Sequence, residues 1–143
     1  MRVLFDTDVV LDLLLDRQPF TTPAAELFSR VERGEIRGYL CATTVTTVHY
    51  LAAKGVGTRR ARAEVRRLLT LFDVAPLNRT VLEAALLGAF ADFEDAVIYE
   101  AARHVDAQAL VTRNTRDFKQ SVIPIHQPSE LLHILQTNRE TGA

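Results

Sequence analysis

Tryptophan is absent from the chain, and cysteine occurs once, at Cys41. A lone thiol closes no internal disulfide, which excludes the small disulfide-stapled scaffolds and fits a reducing, cytoplasmic setting. Aromatic residues make up only 7% of the chain, so stacking platforms for nucleobases are few. Neither charge sign is in excess: 17 Lys and Arg face 18 Asp and Glu, for a net charge of −1. That balance excludes coating of nucleic acid by bulk charge and leaves room for a local basic patch. No apolar run reaches about 18 residues and no basic, apolar leader precedes the first strand, so neither membrane insertion nor export is expected. Repeats, low-complexity tracts and linkers are also missing. What remains is 143 residues, 48% of them hydrophobic, enough for one domain with a real core.

Short apolar runs alternate with helical patterns along that domain. Val3 to Phe5 reads as a strand, and Val9 to Leu15, leucine-rich and following Asp8, as a helix. Ala24 to Arg33 carries Ala25, Leu27, Phe28 and Val31 on one face and stops at Gly34. Gly38 to Ala42 is a strand, followed by a helix capped by Thr43 or Thr44, and Gly57-Thr58 restarts a further helix. Phe72 to Pro76 reads as a strand, Arg79 to Leu87 and Glu94 to His104 as helices, and Ala109 to Thr112 as a strand. A last strand, Val122 to Ile125, and a helix, Ser129 to Leu135, complete a domain over 1–136, with a polar, frayed tail over 137–143. Such alternation predicts an α/β fold: a mostly parallel sheet of four to five strands with helices on both faces. In such sheets, sites lie at the carboxyl ends of the strands, where strand order reverses.

Six of the acidic residues, Asp6, Asp8, Asp92, Glu94, Asp95 and Asp117, crowd those ends or the start of the long helix. Brought together, they repel one another unless a cation intervenes. Oxygen donors without histidine or cysteine favour Mg²⁺ or Mn²⁺ over zinc, and a carboxylate cage around such an ion suits phosphodiester hydrolysis. Structural roles compete with this reading. Asp8 is a candidate cap for the first helix, Asn114 and Asp117 are common turn formers, and Asp92 with Asp95 three residues later matches a capping pair, the reading preferred for Asp92. Asp6 has the fewest structural reasons to end a central strand.

Three stretches carry a family resemblance: VLFDTDVVLDLLL, DAVIYEAA and LVTRNTRDF. Together they resemble the PIN domain, the ribonuclease fold of VapC-type toxins, over almost the whole chain. The resemblance implies that Asp6 and Asp95 bind the metal and that Thr112, Asn114 and Asp117 stand at the site, with Asp8 an additional acid. It also implies a homodimer and an antitoxin whose tail covers the active site. The family's usual Glu on the helix after strand two is replaced here by Thr47, as in a subgroup of bacterial PIN proteins. Thr47 offers a hydroxyl to a ligand water or substrate but no charge, which Asp8 or Glu94 would then have to supply.

RNA is the expected substrate. Arg113 stands beside the acids, where a guanidinium can grip a phosphate, and Thr112 is its neighbour. Lys54, Arg59, Arg60, Arg62, Arg66 and Arg67 form a basic stripe that suits either phosphate contacts or plain solvation. Two other readings stay open. Asp6-x-Asp8 also resembles the first motif of haloacid-dehalogenase-type phosphatases, although no suitable Lys precedes DFED. The missing Glu also admits a catalytically impaired PIN fold that binds RNA or protein.

Overall fold

The computed structural model describes residues 1–140. Five strands form one wholly parallel sheet: β1 (Arg2–Phe5), β2 (Arg37–Cys41), β3 (Asp73–Ala75), β4 (Ala109–Val111) and β5 (Ile125–His126). Their order is β3-β2-β1-β4-β5. The chain winds outward from β1 in one direction to β3, then crosses back to β4, so strand order reverses between β1 and β4. Helices α1 (Thr7–Leu14), α2 (Thr21–Glu32), α3 (Ala42–Val56), α4 (Thr58–Leu71), α5 (Arg79–Leu87) and α6 (Phe93–His104) lie in the connections, and α7 (Pro128–Glu140) follows the last strand. Among the described residues no helix is long and apolar enough to cross a membrane.

The period-two alternation of a strand divides the core. Val3 and Phe5 face one layer, with Val9, Val10, Leu27, Phe28 and Phe72. Leu4, between them, faces the other, with Val97, Ile98, Ala101 and Phe118. Both faces of β1 are therefore buried, and a short, continuously apolar strand is the sequence form that this position requires. Phe5, Phe28 and Phe72 meet edge to face, with centroids 5.0 to 5.8 Å apart. Gly38 lets this trio pack against β2, because a Cβ there would sit 2.6 Å from two carbons of the Phe72 ring. Phe72 is held by the two other rings and cannot swing away. Gly38→Ala should therefore destabilise the fold by about 1–3 kcal/mol, read as a lower urea midpoint with an unchanged slope.

Several boundaries differ from expectation. Helix α2 starts at Thr21 rather than Ala24, and α3 starts at Ala42 directly behind Cys41, with no side-chain cap from Thr43 or Thr44. Helix α1 starts at Thr7 and is capped by Asp6, not Asp8, because the Asp6 side chain accepts the Thr7 N–H. Asp8 is thus free of that duty. The last strand is Ile125–His126 rather than Val122 to Ile125: Ser121 and Ile123 instead close a tight turn through the Ser121 hydroxyl. Helix α7 continues to Glu140, so 137–140 of the expected tail are helical, and the rest of that tail lies outside the described residues.

Candidate active site

At the switch point, β1 delivers Asp6 to the carboxyl edge of the sheet, and the Asp6 N–H still donates to the Val111 carbonyl of β4 at 2.9 Å. The Asp6 carboxylate is 6% exposed. Its Oδ1 accepts from the Thr7 N–H at 2.8 Å and its Oδ2 from the Thr112 hydroxyl at 2.7 Å. The same hydroxyl accepts the Asn114 N–H at 3.0 Å, so the loop after β4 orients the acid after β1. Asp8, one residue into α1, is held by that loop as well: its Oδ2 accepts from the Arg113 N–H at 3.1 Å and from Asn114 Nδ2 at 3.0 Å. Its other oxygen, Oδ1, is buried without a hydrogen-bond partner among the described residues, a costly condition for a carboxylate.

The start of α6 supplies the remaining charge. Asp92 caps that helix by accepting the Asp95 N–H at 3.0 Å, as the spacing suggests, and Glu94 and Asp95 occupy its first turn. The helix dipole favours acids there, yet the surrounding acids oppose it. Burial pushes the Asp95 carboxyl up to about 6, and the charges of Asp92, Asp117, Glu94 and Asp8 add to the shift. Asp6 is likewise raised to about 6 by burial, with Asp95 and Glu94 contributing, against the lowering effect of the bonds from Thr112 and Thr7. Asp8 rises to about 6 through burial and the Asp6 charge. Residues distant in sequence, from β1, α1, α6 and the 3-10 turn at Thr115–Phe118 that carries Asp117, therefore share one electrostatic environment.

A carboxyl whose pKa rises on folding holds its proton better in the folded state. The stability it contributes is present at low pH and lost as pH climbs through its folded pKa. Without a cation, Asp6 should thus cost the fold stability between pH values of about 4 and 6, at most about 3 kcal/mol for a shift of this size. Asp6→Asn should gain on wild type in metal-free melting temperature as pH rises from about 4 to 7. A difference that stays constant over that range would contradict this.

Among the described residues no three carboxylate, imidazole or thiolate side chains stand close enough, as placed, to hold an ion. The donor chemistry nonetheless fits a hard divalent cation: the acids carry only oxygen donors, they oppose each other's ionisation, and a buried carboxylate oxygen lacks any partner.

Other expected residues lie as follows. Asn114 and Asp117 are exposed at the rim. Thr47 is half-buried, one turn along α3 from Thr44, whose hydroxyl shares a 2.9 Å hydrogen bond with that of Thr7. Arg113 does not turn its guanidinium toward the acids just described. Its Nε and Nη2 donate to Asp12 of α1 at 2.5 and 3.0 Å, and the group lies 4.0 Å over the Phe20 ring. Asp12 is 1% exposed, and in the sequence it is hidden inside a run that reads as apolar. Its position four residues after Asp8, on the same helix face, was the available signal. The basic stripe of α4 is exposed, with Arg67 lying 3.8 Å from Glu64.

A wholly parallel sheet with buried acids at its switch point defines a class, an α/β domain organised around an acidic centre. The PIN-domain family model matches residues 2–116, and the chain belongs to the PIN-domain family. Similar solved structures include a toxin–antitoxin complex from Klebsiella pneumoniae, 24% identical with a TM-score of 0.67, the match covering 88% of this chain and 97% of that one. VapBC-1 from nontypeable Haemophilus influenzae is similar at 15% identity and a TM-score of 0.65, over 90% and 99% of the two chains. VapC20 of Mycobacterium tuberculosis, a toxin that cleaves the sarcin-ricin loop, is similar at 19% identity and a TM-score of 0.61, over 76% and 86%. Likeness at these identities is likeness of fold. No curated protein matches in sequence.

Proposed function

We propose that the chain is a divalent-metal-dependent endoribonuclease of the VapC toxin type. The observation that carries this reading is the group Asp6, Asp8 and Asp95, drawn from three elements, each raised to about 6 and with one buried oxygen unpartnered. Asp6, Asp95 and Asp117, with Asp8 and Glu94, would hold Mg²⁺ or Mn²⁺. When bound, such an ion lowers the pKa of a water and offsets charge on a phosphodiester undergoing in-line attack.

The chain's own residues prepare the site. Thr112 fixes the rotamer of Asp6 through its hydroxyl, and Asn114 fixes that hydroxyl in turn. The Arg113 N–H and the Asn114 amide orient Asp8 toward the centre. Thr47 and the exposed Asn114 offer neutral polar groups to substrate oxygens. Thr112, expected from the sequence to bind substrate, is instead fully buried with its hydroxyl committed to Asp6 and the Asn114 N–H, so it positions Asp6 rather than touching substrate. The Arg113 side chain acts through Asp12, so its contribution to phosphate binding comes through the loop it anchors. The charge of Glu94 stands near enough to Asp6 and Asp95 to oppose their ionisation, which supports giving it the role left open by Thr47. Metal titration should show weaker binding by Glu94→Gln and much weaker binding by Asp95→Asn; equal affinity of Glu94→Gln and wild type would remove Glu94 from the site.

An antitoxin partner and a homodimer belong to the same proposal, supported by the toxin–antitoxin complexes that share the fold. So does a cytoplasmic location, which the single buried, unpaired Cys41 suits. Membership of the PIN-domain family takes away the basis of the phosphatase alternative. The test is cleavage of an RNA pool with Mg²⁺, Mn²⁺ or chelator, with Asp6→Asn as control. Ion-dependent cleavage lost in that variant supports the reading. No cleavage by wild type would leave the impaired, binding-only PIN fold in its place.

A further inference from the structure

Behind the loop that holds Asp8 lies a cavity of about 380 Å³ that none of the acids lines. It is lined by Pro19, Phe20, Pro23, Pro128 and Arg113, with Gln127 and Ser129 as its polar residues. Phe20 is 39% exposed, in a chain with few aromatic residues, and the Arg113 guanidinium lies 4.0 Å over its ring. Asp12 takes both donors on one edge of that guanidinium. The cation is thereby neutralised while its plane is fixed, and the cavity offers flat, weakly polar surfaces rather than a free charge. At the rim, the exposed Gln127 side chain has no hydrogen-bond partner among the described residues, although its backbone N–H donates to Glu130 Oε1 at 2.9 Å. An amide carries donor and acceptor side by side.

We infer that this cavity is a nucleobase subsite: it takes an unpaired base of the RNA strand next to the phosphodiester held at the acidic centre. The inference rests on the ribonuclease reading. Three features favour a base over another occupant. The volume suits a small planar group with its sugar, near the lower end of ligand cavities. Phe20, Arg113 and the proline rings provide stacking surface, and an amide and a hydroxyl at the edge match the way unpaired RNA bases are read. Above all, Arg113 belongs to both places. Its main-chain N–H holds Asp8 at 3.1 Å while its side chain walls the cavity, so the subsite stands one residue from the acids. A phosphate finds no free cation here, because Asp12 already holds the guanidinium.

The test uses the full chain and short single-stranded RNAs with an abasic residue placed at each position in turn around the cleavage point. In wild type, kcat/KM should fall about tenfold for the abasic residue at one position and little elsewhere. Phe20→Ala should lower kcat/KM on intact RNA by about the same factor and cleave intact and abasic RNA equally. Gln127→Ala, altering an exposed side chain, should change the preference among bases at that position only. Divalent-ion binding should be unchanged in both variants, which separates the subsite from the metal centre. Cleavage by wild type that is indifferent to every abasic position, or a Phe20→Ala variant with wild-type kcat/KM on all substrates, would overturn the subsite while leaving the ribonuclease intact. The second result would hand the cavity to another occupant, such as a protein partner. Failure of wild type to cleave or bind any of the RNAs would overturn both.

Discussion

Asp6→Asn should leave the chain folded and reduce divalent-ion-dependent RNA cleavage by about a thousandfold or more. The substitution keeps the shape of the side chain and leaves an oxygen able to accept the Thr7 N–H or the Thr112 hydroxyl, but it removes a charge from the centre of the acidic group. Electrostatic stabilisation by a metal is worth several kcal/mol, and about 4 kcal/mol corresponds to three powers of ten in rate. The effect on stability should run the other way. Asp6 is 6% exposed and its ionisation is opposed by burial and by Asp95 and Glu94, so at neutral pH without metal the variant should melt above wild type. This opposition of signs, lower activity with higher metal-free stability, marks a group placed for function rather than for the fold. Single-turnover cleavage at saturating Mg²⁺ and a thermal melt in chelator measure the two halves. A variant that loses both activity and stability would mean that Asp6 serves chiefly as a helix cap.

Arg113→Ala should be among the most destabilising substitutions outside the apolar core. The Asp12 carboxylate is 1% exposed and receives both donors on one edge of the Arg113 guanidinium, with Arg17 more distant at 3.8 Å. Removing the fork leaves a buried charge with one weak partner, at a cost of about 3 kcal/mol. For a domain of this size that is a fall of about 10 °C in melting temperature. The double substitution Asp12→Leu with Arg113→Met should recover most of the loss, because replacing both members of a buried pair is far less costly than orphaning one. It should not recover full cleavage, since the pair also ties α1, and with it Asp8, to the loop after β4. Single and double variants that lose equal stability would show that the Asp12 to Arg113 contact is not the source of the effect.

Local chemistry made much of this molecule legible in its sequence. Val3, Leu4 and Phe5 are apolar on both faces, as the middle strand of a parallel sheet must be, and the acid that follows them points to the sheet edge where such folds keep their sites. The three-residue spacing of Asp92 and Asp95 announces the cap of α6, and that cap is present. The misjudged elements are those decided by contacts the sequence does not display. Val122 reads as strand by composition yet is 81% exposed, because the Ser121 turn carries the chain past it and Pro124 offers its carbonyl to Leu110. The first helix starts earlier than its leucines suggest because Asp6 caps it while also facing the acidic centre. The bond between Asp12 and Arg113 joins residues 101 positions apart. Each has an ordinary reading alone, and only the pairing of β1 with β4 brings them together.

The account stands on the gathering of Asp6, Asp8 and Asp95 as a divalent-ion site. Crystals soaked in Mn²⁺ and measured at the manganese absorption edge test it most directly. The expected result is an anomalous peak bounded by Asp6 and Asp95 and absent from Asp6→Asn crystals. Manganese bound only elsewhere on the molecule, with those two carboxylates empty at saturating ion, would contradict it.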